Sequence, residues 1–219
     1  AAIERTEPNT LILVPELLPC LVAFAKQGWQ APKSLKFIAV GGAVVSQALI
    51  KQARELGLPV YQGYGLSESS SVVSLNTRDD DDIDTAGRVL KHIQYKIENG
   101  QLYIKGSLFL GYIGQAAQNA DDWYATGDLV TEQAGRLVIQ GRLKNQLITS
   151  FGRNISAEWP ESLLLSHSQV QQTVVIGEGQ AFLAALIYAN QAMSDAELAA
   201  HITAQNAQDI VNILLKGVE

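Results

Sequence analysis

The 219 residues carry a net charge of −6, with 47% hydrophobic and 17% charged residues, a balance that supports a buried core without disulfide or metal staples. No run of Lys or Arg offers the basic face of a nucleic-acid binder. The single cysteine, Cys20, cannot form an internal disulfide, which fits a reducing, cytoplasmic compartment. The most apolar stretch, residues 11–25, is interrupted by Pro15, Glu16 and Pro19. It therefore makes a poor transmembrane segment or secretion signal and reads as one buried element.

In chain order, residues 35–40 are a short apolar run ending at Gly41-Gly42 and predict a strand. Ser46 caps a predicted helix whose apolar positions Leu49, Ile50, Ala53 and Leu56 share one face, with Gly57 as its stop. Residues 59–62 predict the next strand, so the segment reads as a βαβ unit with a parallel sheet. The acidic run 79–82 reads as a solvated loop rather than a metal site. Strands dominate from about residue 85 to 142. Runs 93–97 and 102–104 flank Asn99-Gly100, a strong hairpin signal because both turn residues must accept positive φ. A second pair, 128–131 and 136–140, brackets Gly135. The remainder predicts a strand at 146–149, a turn at 151–154, a helix near 158–165 and strands at 173–176 and 182–188. Ser194 and Glu197 have capping-box spacing, and a last helix is predicted at 209–215. The fold class is thus α/β followed by α+β, with domains at 1–143 and 144–219.

Four segments hold residues suited to a ligand site. Tyr61-Gln62-Gly63-Tyr64-Gly65-Leu66-Ser67-Glu68 follows a predicted strand, where α/β proteins bind ligands. Its glycines admit close backbone approach, Tyr64 offers a flat face to a base, and Ser67 can donate to a phosphate. Glu68 can hold magnesium against phosphates. Gly41-Gly42-Ala43 follows the preceding strand, and in Trp123-Tyr124-Ala125-Thr126-Gly127-Asp128-Leu129 the aspartate could accept two ribose hydroxyls beside a tight turn. In Gly141-Arg142-Leu143-Lys144, Arg142 can donate to ribose or phosphate oxygens. Taken singly, each segment also fits a plain structural turn or linker.

Taken together and in this order, the segments resemble the adenylate-forming superfamily of acyl-CoA ligases, carrier-protein adenylation domains and luciferases, and the resemblance covers nearly the whole chain. It implies the C-terminal part of a large domain, a parallel α/β layer plus a small β-barrel piece, followed by a small mobile α+β lid. It implies ATP or AMP, Mg2+ and CoA as ligands, and a carboxylic acid as substrate. Gly42, Ala43, Gln62 and Tyr64 would form the adenine pocket, Gly65 would also belong to the nucleotide site, Ser67 would contact a phosphate, and Glu68 would ligate magnesium. Asp128 would bind the ribose with help from Arg142, Lys144 would be the hinge, and Gly152 would lie beside the CoA tunnel. The loop 148–156 is most similar to that of long-chain fatty-acid ligases.

The chain departs from the family in two places. It shows no Ser/Thr/Gly-rich loop with a lysine for the outer phosphates, and Ala1 falls inside the expected large domain, as in a fragment. Nor does it show the closing glycine-lysine segment; Lys216 reads as a helix-end lysine instead. Gln101 also stands where the family usually has Glu. Little or no adenylation is therefore expected of the chain alone. A carrier-protein adenylation enzyme and a degenerate nucleotide-binding module are the alternatives to an acid–CoA ligase. A homodimer or an aggregation-prone monomer is expected, because a divided domain exposes apolar surface.

Overall fold

The computed structural model describes residues 2–119, 121–167, 169–190 and 193–204. The helix expected at 209–215, and Lys216, lie outside the described residues. The chain divides into two units, 1–139 and 140–219.

The first unit is built on a five-stranded sheet in the order β1 (Thr10–Leu13), β2 (Phe37–Val40), β3 (Val60–Leu66), β4 (Ser71–Leu75) and β5 (Arg88–Val89). The first three strands are parallel, and β4 and β5 add antiparallel. Two helices, α2 (Leu18–Lys26) and α3 (Gln47–Glu55), follow β1 and β2, after a short α1 (Ala2–Thr6) at the start. Leu18 and Val22 of α2 and Ile50 and Ala53 of α3 bury against Ile38, Val40 and Val60. This confirms the expected βαβ unit.

Residues 11–25 are not one buried element. Pro15, which has no N–H to donate to a ladder, follows β1 and opens a 3₁₀ turn at Pro15–Leu17, and α2 starts directly after it. Only Leu18 and Val22 of this stretch are buried, while Ile12 is 83% and Phe24 58% exposed.

Ser46 stands at the N-cap of α3 in extended backbone but makes no side-chain cap bond, and its buried Oγ has no partner. The C-terminus follows expectation more closely. Gly57 (φ +81°) donates to Arg54 O at 2.9 Å and Leu58 donates to Ala53 O at 3.0 Å, the paired bonds of a Schellman stop.

The remaining strands β6 (Gln94–Glu98), β7 (Gln101–Lys105), β8 (Tyr124–Gln133) and β9 (Arg136–Arg142) form an open antiparallel sheet in sequence order. The barrel-like piece is therefore an unclosed four-stranded sheet. Asn99 (φ 51°) with Gly100 (φ 79°), and Ala134 (φ 50°) with Gly135 (φ 75°), close its two tight hairpins. Both residues of each turn take positive φ, as a type I′ turn demands. Leu66 and Val73 of the first sheet pack with Leu102, Ile104, Val130 and Leu137 of the second.

The acidic run does more than face solvent. Asp81 accepts two bonds from Arg54, at 2.6 and 3.0 Å, and Asp80 accepts from Arg88 at 2.5 Å and from Arg136. The Arg88 bond, with Arg136 nearby, holds the Asp80 carboxyl below its ordinary value.

The second unit starts with a hairpin of β10 (Gln146–Ile148) and β11 (Asn154–Ser156), followed by α4 (Glu158–Leu165). A ribbon of β12 (Val170–Ile176) and β13 (Ala184–Ala189) and then α5 (Asp195–Ala204) complete it. Leu164, Val175, Leu183 and Ile202 form its core. The capping box before α5 is made: Glu197 N–H donates to Ser194 Oγ at 3.3 Å, and Ser194 N–H donates to Glu197 Oε2 at 2.8 Å. No helix among the described residues is long and apolar enough to cross a membrane.

Candidate functional site

Strand β3 outruns its parallel neighbour, and this overhang makes the site. Parallel pairing ends at Val40↔Gln62, after which Gly63 to Leu66 pair antiparallel with β4. The Tyr61-to-Glu68 motif is therefore not a loop after a strand, as expected from sequence. Most of it is the far half of a strand that has exchanged one partner for another. Gly41 and Gly42 turn away from β2 at the same level. A Cβ on Gly41 would stand 2.8 Å from Gly63 O, so the two glycine segments touch backbone to backbone. A Cβ on Gly65 would meet Ser71 O at 1.6 Å, at the bulge between Tyr64 and Gly65.

Gly42 (φ +94°) and Ala43 are exposed, while Gln62, Tyr64 and Gly65 are half-buried beside them. Ser67 and Glu68 open a 3₁₀ turn, Ser67–Ser69, which ends at Ser70 in left-handed backbone. Ser67 faces solvent and Glu68 is half-buried.

Asp128 is not beside a hairpin turn. It sits in β8 just after a bulge, where the register against β7 shifts between Gln101↔Leu129 and Tyr103↔Ala125. Gly127 (φ +75°) makes that bulge. Thr126 Oγ1 pins it, donating to Leu102 O at 2.9 Å and accepting from Asp128 N–H at 3.1 Å. The bulge turns the Asp128 carboxylate toward β3, where it accepts the Tyr64 hydroxyl. Asp128 is only 3% exposed, so this polar partner offsets a desolvation that would otherwise be costly.

Glu68 is held from the β7–β8 connection. Phe109 N–H donates to Glu68 O at 2.7 Å, and the Tyr112 hydroxyl donates to Glu68 Oε1. Donation to Glu68, with the Tyr124 hydroxyl close by, raises the Tyr112 phenol well above its ordinary value. Phe109 packs edge-on against both tyrosine rings, at 4.9 Å from Tyr112 and 5.5 Å from Tyr124. Tyr112, Phe109 and Thr126 escape sequence reasoning. Thr126 lies inside a recognised motif, but its task is visible only through the bulge. Phe109 and Tyr112 come from an irregular stretch with no periodicity to mark them.

The other candidates belong to the second unit. Arg142 and Lys144 are exposed, at the start of and within the 3₁₀ turn Leu143–Asn145. Gly152 (φ +73°) lies exposed in the turn between β10 and β11, and a Cβ there would meet nothing within 4 Å.

Among the described residues no group of three or more His, Cys, Asp and Glu side chains converges as a metal cage. The donor set around Glu68 instead suits an ion that takes one protein carboxylate and draws its other ligands from phosphates and water, the habit of magnesium. The bare glycine strip beside a half-buried tyrosine ring suits a flat heterocycle.

A family profile described as AMP-binding enzyme matches residues 1–113. The long-chain-fatty-acid–CoA ligase FadD15 of Mycobacterium bovis is 36% identical over 154 residues, which is 67% of this chain and 26% of that protein. O-succinylbenzoate CoA synthetase (MenE) from Bacillus subtilis, in complex with AMP, superposes with a TM-score of 0.81 at 26% identity, over 98% of this chain and 47% of that one. The same enzyme in complex with ATP and magnesium ion gives 0.80, also at 26% identity, over 98% and 48%. The chain thus spans about a quarter of the length of FadD15 and about half that of the MenE structures.

Proposed function

The chain belongs to the AMP-binding enzyme family, and on that premise we propose that it forms part of an ATP-dependent acid–CoA ligase. The reaction has two steps. A substrate carboxylate attacks the α-phosphate of ATP, forming an acyl-adenylate and releasing pyrophosphate. The thiol of CoA then attacks the acyl carbon and AMP leaves. No protein nucleophile is required; the protein positions the reactants and stabilises charge.

In this reading Gly42, Ala43, Gln62 and Tyr64 surround the adenine, Gly65 belongs to the same nucleotide site, and Ser67 donates to a phosphate. Glu68 holds magnesium, which when bound neutralises phosphate charge. Asp128 takes the ribose hydroxyls with Arg142. Lys144 is the hinge between domains 1–143 and 144–219, and Gly152 borders the path of CoA. One observation carries the reading most: Tyr64 and Asp128, 64 residues apart in sequence, meet hydroxyl to carboxylate. The pair brings a ring face on the overhanging strand together with a carboxylate on β8, the two things a nucleoside site needs in a ring face and a diol acceptor.

The test is calorimetric titration of the chain with AMP, with and without magnesium, beside Asp128→Ala. Binding by the parent chain and a loss of at least about tenfold in the variant are expected, since the variant removes a charge-assisted acceptor. No binding by the parent chain, or equal binding by both, refutes a nucleotide site carried by this chain. Pyrophosphate release from ATP and a fatty acid should stay at background, and measurable release would overturn that expectation.

A fatty acid is the proposed substrate, on the likeness to FadD15. Non-hydrolysable acyl-adenosine analogues bearing a fatty chain should outbind one bearing succinylbenzoate, and the reverse order would reassign the acid. Exposed Ile12 and Phe24 support self-association; a monomer by light scattering at high concentration would remove that reading. A cytoplasmic location is proposed with it, and recovery of the protein from another compartment on fractionation would exclude it.

A further inference from the structure

The long connection between β7, ending at Lys105, and β8, starting at Tyr124, does not follow the sheet. Extended loops of this kind inside a domain commonly serve a site. Here the loop is fastened to itself and to the turn that carries Glu68. Gln118 N–H donates to Leu110 O at 2.8 Å, and Gln115 N–H donates to Tyr112 O at 3.1 Å. Gly111 (φ +125°) allows the crossing, because a Cβ there would sit 3.1 Å from Ala116 O and 3.2 Å from Gln118 N. Phe109 N–H ties the loop to Glu68 O at 2.7 Å, and the Phe109 ring fixes Tyr112 edge-on at 4.9 Å. Tyr112 is still 50% exposed, so its ring adds little to the core. What its fixed position delivers is the hydroxyl on Glu68 Oε1.

We propose that Tyr112 is a positioning residue for Glu68: its hydroxyl aims the carboxylate and so sets how much magnesium the nucleotide site needs. This rests on the reading of Glu68 as the magnesium-holding residue. A carboxylate on a rotatable side chain samples many directions. A donor on one oxygen limits them and leaves the group poised for a cation. Tyr112 acts in this proposal through Glu68, the group its hydroxyl reaches.

The experiment titrates ATP into the chain over a series of magnesium concentrations for the parent, Tyr112→Phe and Glu68→Gln. Tyr112→Phe keeps the ring against Phe109 and deletes only the hydroxyl. The magnesium concentration for half-maximal enhancement of ATP binding should rise at least about tenfold in Tyr112→Phe, the low end of the effect expected of an outer-shell partner. Magnesium-free binding should be unchanged, and Glu68→Gln should lose the enhancement. A residue that only supported the fold would move both bindings together. As a nucleotide-free readout, the 13Cζ resonance of Tyr112 in chain labelled at tyrosine should shift in Glu68→Gln at neutral pH. If Glu68→Gln loses the enhancement while Tyr112→Phe keeps the parent's magnesium dependence, or the resonance does not shift, the positioning role is overturned and the reading of Glu68 stands. If the parent and Glu68→Gln respond alike to magnesium, the reading of Glu68 fails and the proposal falls with it.

Discussion

Two site glycines sit in opposite steric circumstances, so the same substitution should have different costs. Gly65→Ala places a methyl 1.6 Å from Ser71 O, where real Cβ contacts stay above 3.0 Å. Strands β3 and β4 must then part by about 1.4 Å, the difference between those two distances. That separation breaks the Gly65↔Val72 and Leu66↔Ser71 pairs and draws Leu66 out of the core it shares with Leu102 and Val130. Two ladder bonds at about 1 kcal/mol each, with partial exposure of a leucine, come to about 3–5 kcal/mol. Gly127→Ala meets open space, and its cost is the left-handed backbone alone, about 1–2 kcal/mol. Urea unfolding followed by tryptophan fluorescence in a Trp159→Phe background reads the first unit through Trp29 and Trp123. A Gly65→Ala stability within about 0.5 kcal/mol of the parent, a change typical of surface sites, would rule out this steric clash. A Gly127→Ala variant more damaging than Gly65→Ala would rule it out equally.

Three further outcomes are expected. The Arg88 bond holds the Asp80 carboxyl below its ordinary 3.8, so its contribution is present above that value and is lost as pH falls through the folded one. Asp80→Asn should therefore lower the melting temperature at pH 7 and flatten its fall in acid; a parallel fall would show that other carboxylates control it. In the second unit, burial lowers the His201 ring below its ordinary 6.5, with His167 adding to the effect against the raising influence of the Leu163 carbonyl. Stability from neutral His201 is present above 6.5 and is lost as pH falls through the folded value, so unfolding read from Trp159 should come earlier at pH 5.5 than at 7.5. His201→Gln should remove most of that difference, and an unchanged difference would exclude His201 as its source. Ser194→Ala, which deletes the made N-cap bond, should cost about 1 kcal/mol, and no change would mean that α5 adds nothing to the second unit.

How far the fold could be read before folding depended on whether a feature is local. The Asn99-Gly100 turn demands positive φ at both positions, and any chain with apolar runs on either side closes there. Gly57 likewise needs only its own helix to act as a stop. Ser46 shows the limit: its type and place suit a cap, yet neighbouring packing buried its hydroxyl without a partner.

The βαβ order, the hairpin turns, the capping box and the residue types of the candidate site were legible in the sequence, because each follows from backbone preference or from side-chain chemistry within a few residues. Long-range packing decided that the Tyr61-to-Glu68 motif is mostly strand, since that depends on β2 stopping at Val40 while β4 arrives to pair with the overhang. It also decided that a bulge at Gly127 turns Asp128 to Tyr64, and that Tyr112 reaches Glu68, 44 residues away in sequence. These are contacts between distant segments. No local preference encodes them; they exist because the sheets pack one core and hold the segments in reach of one another.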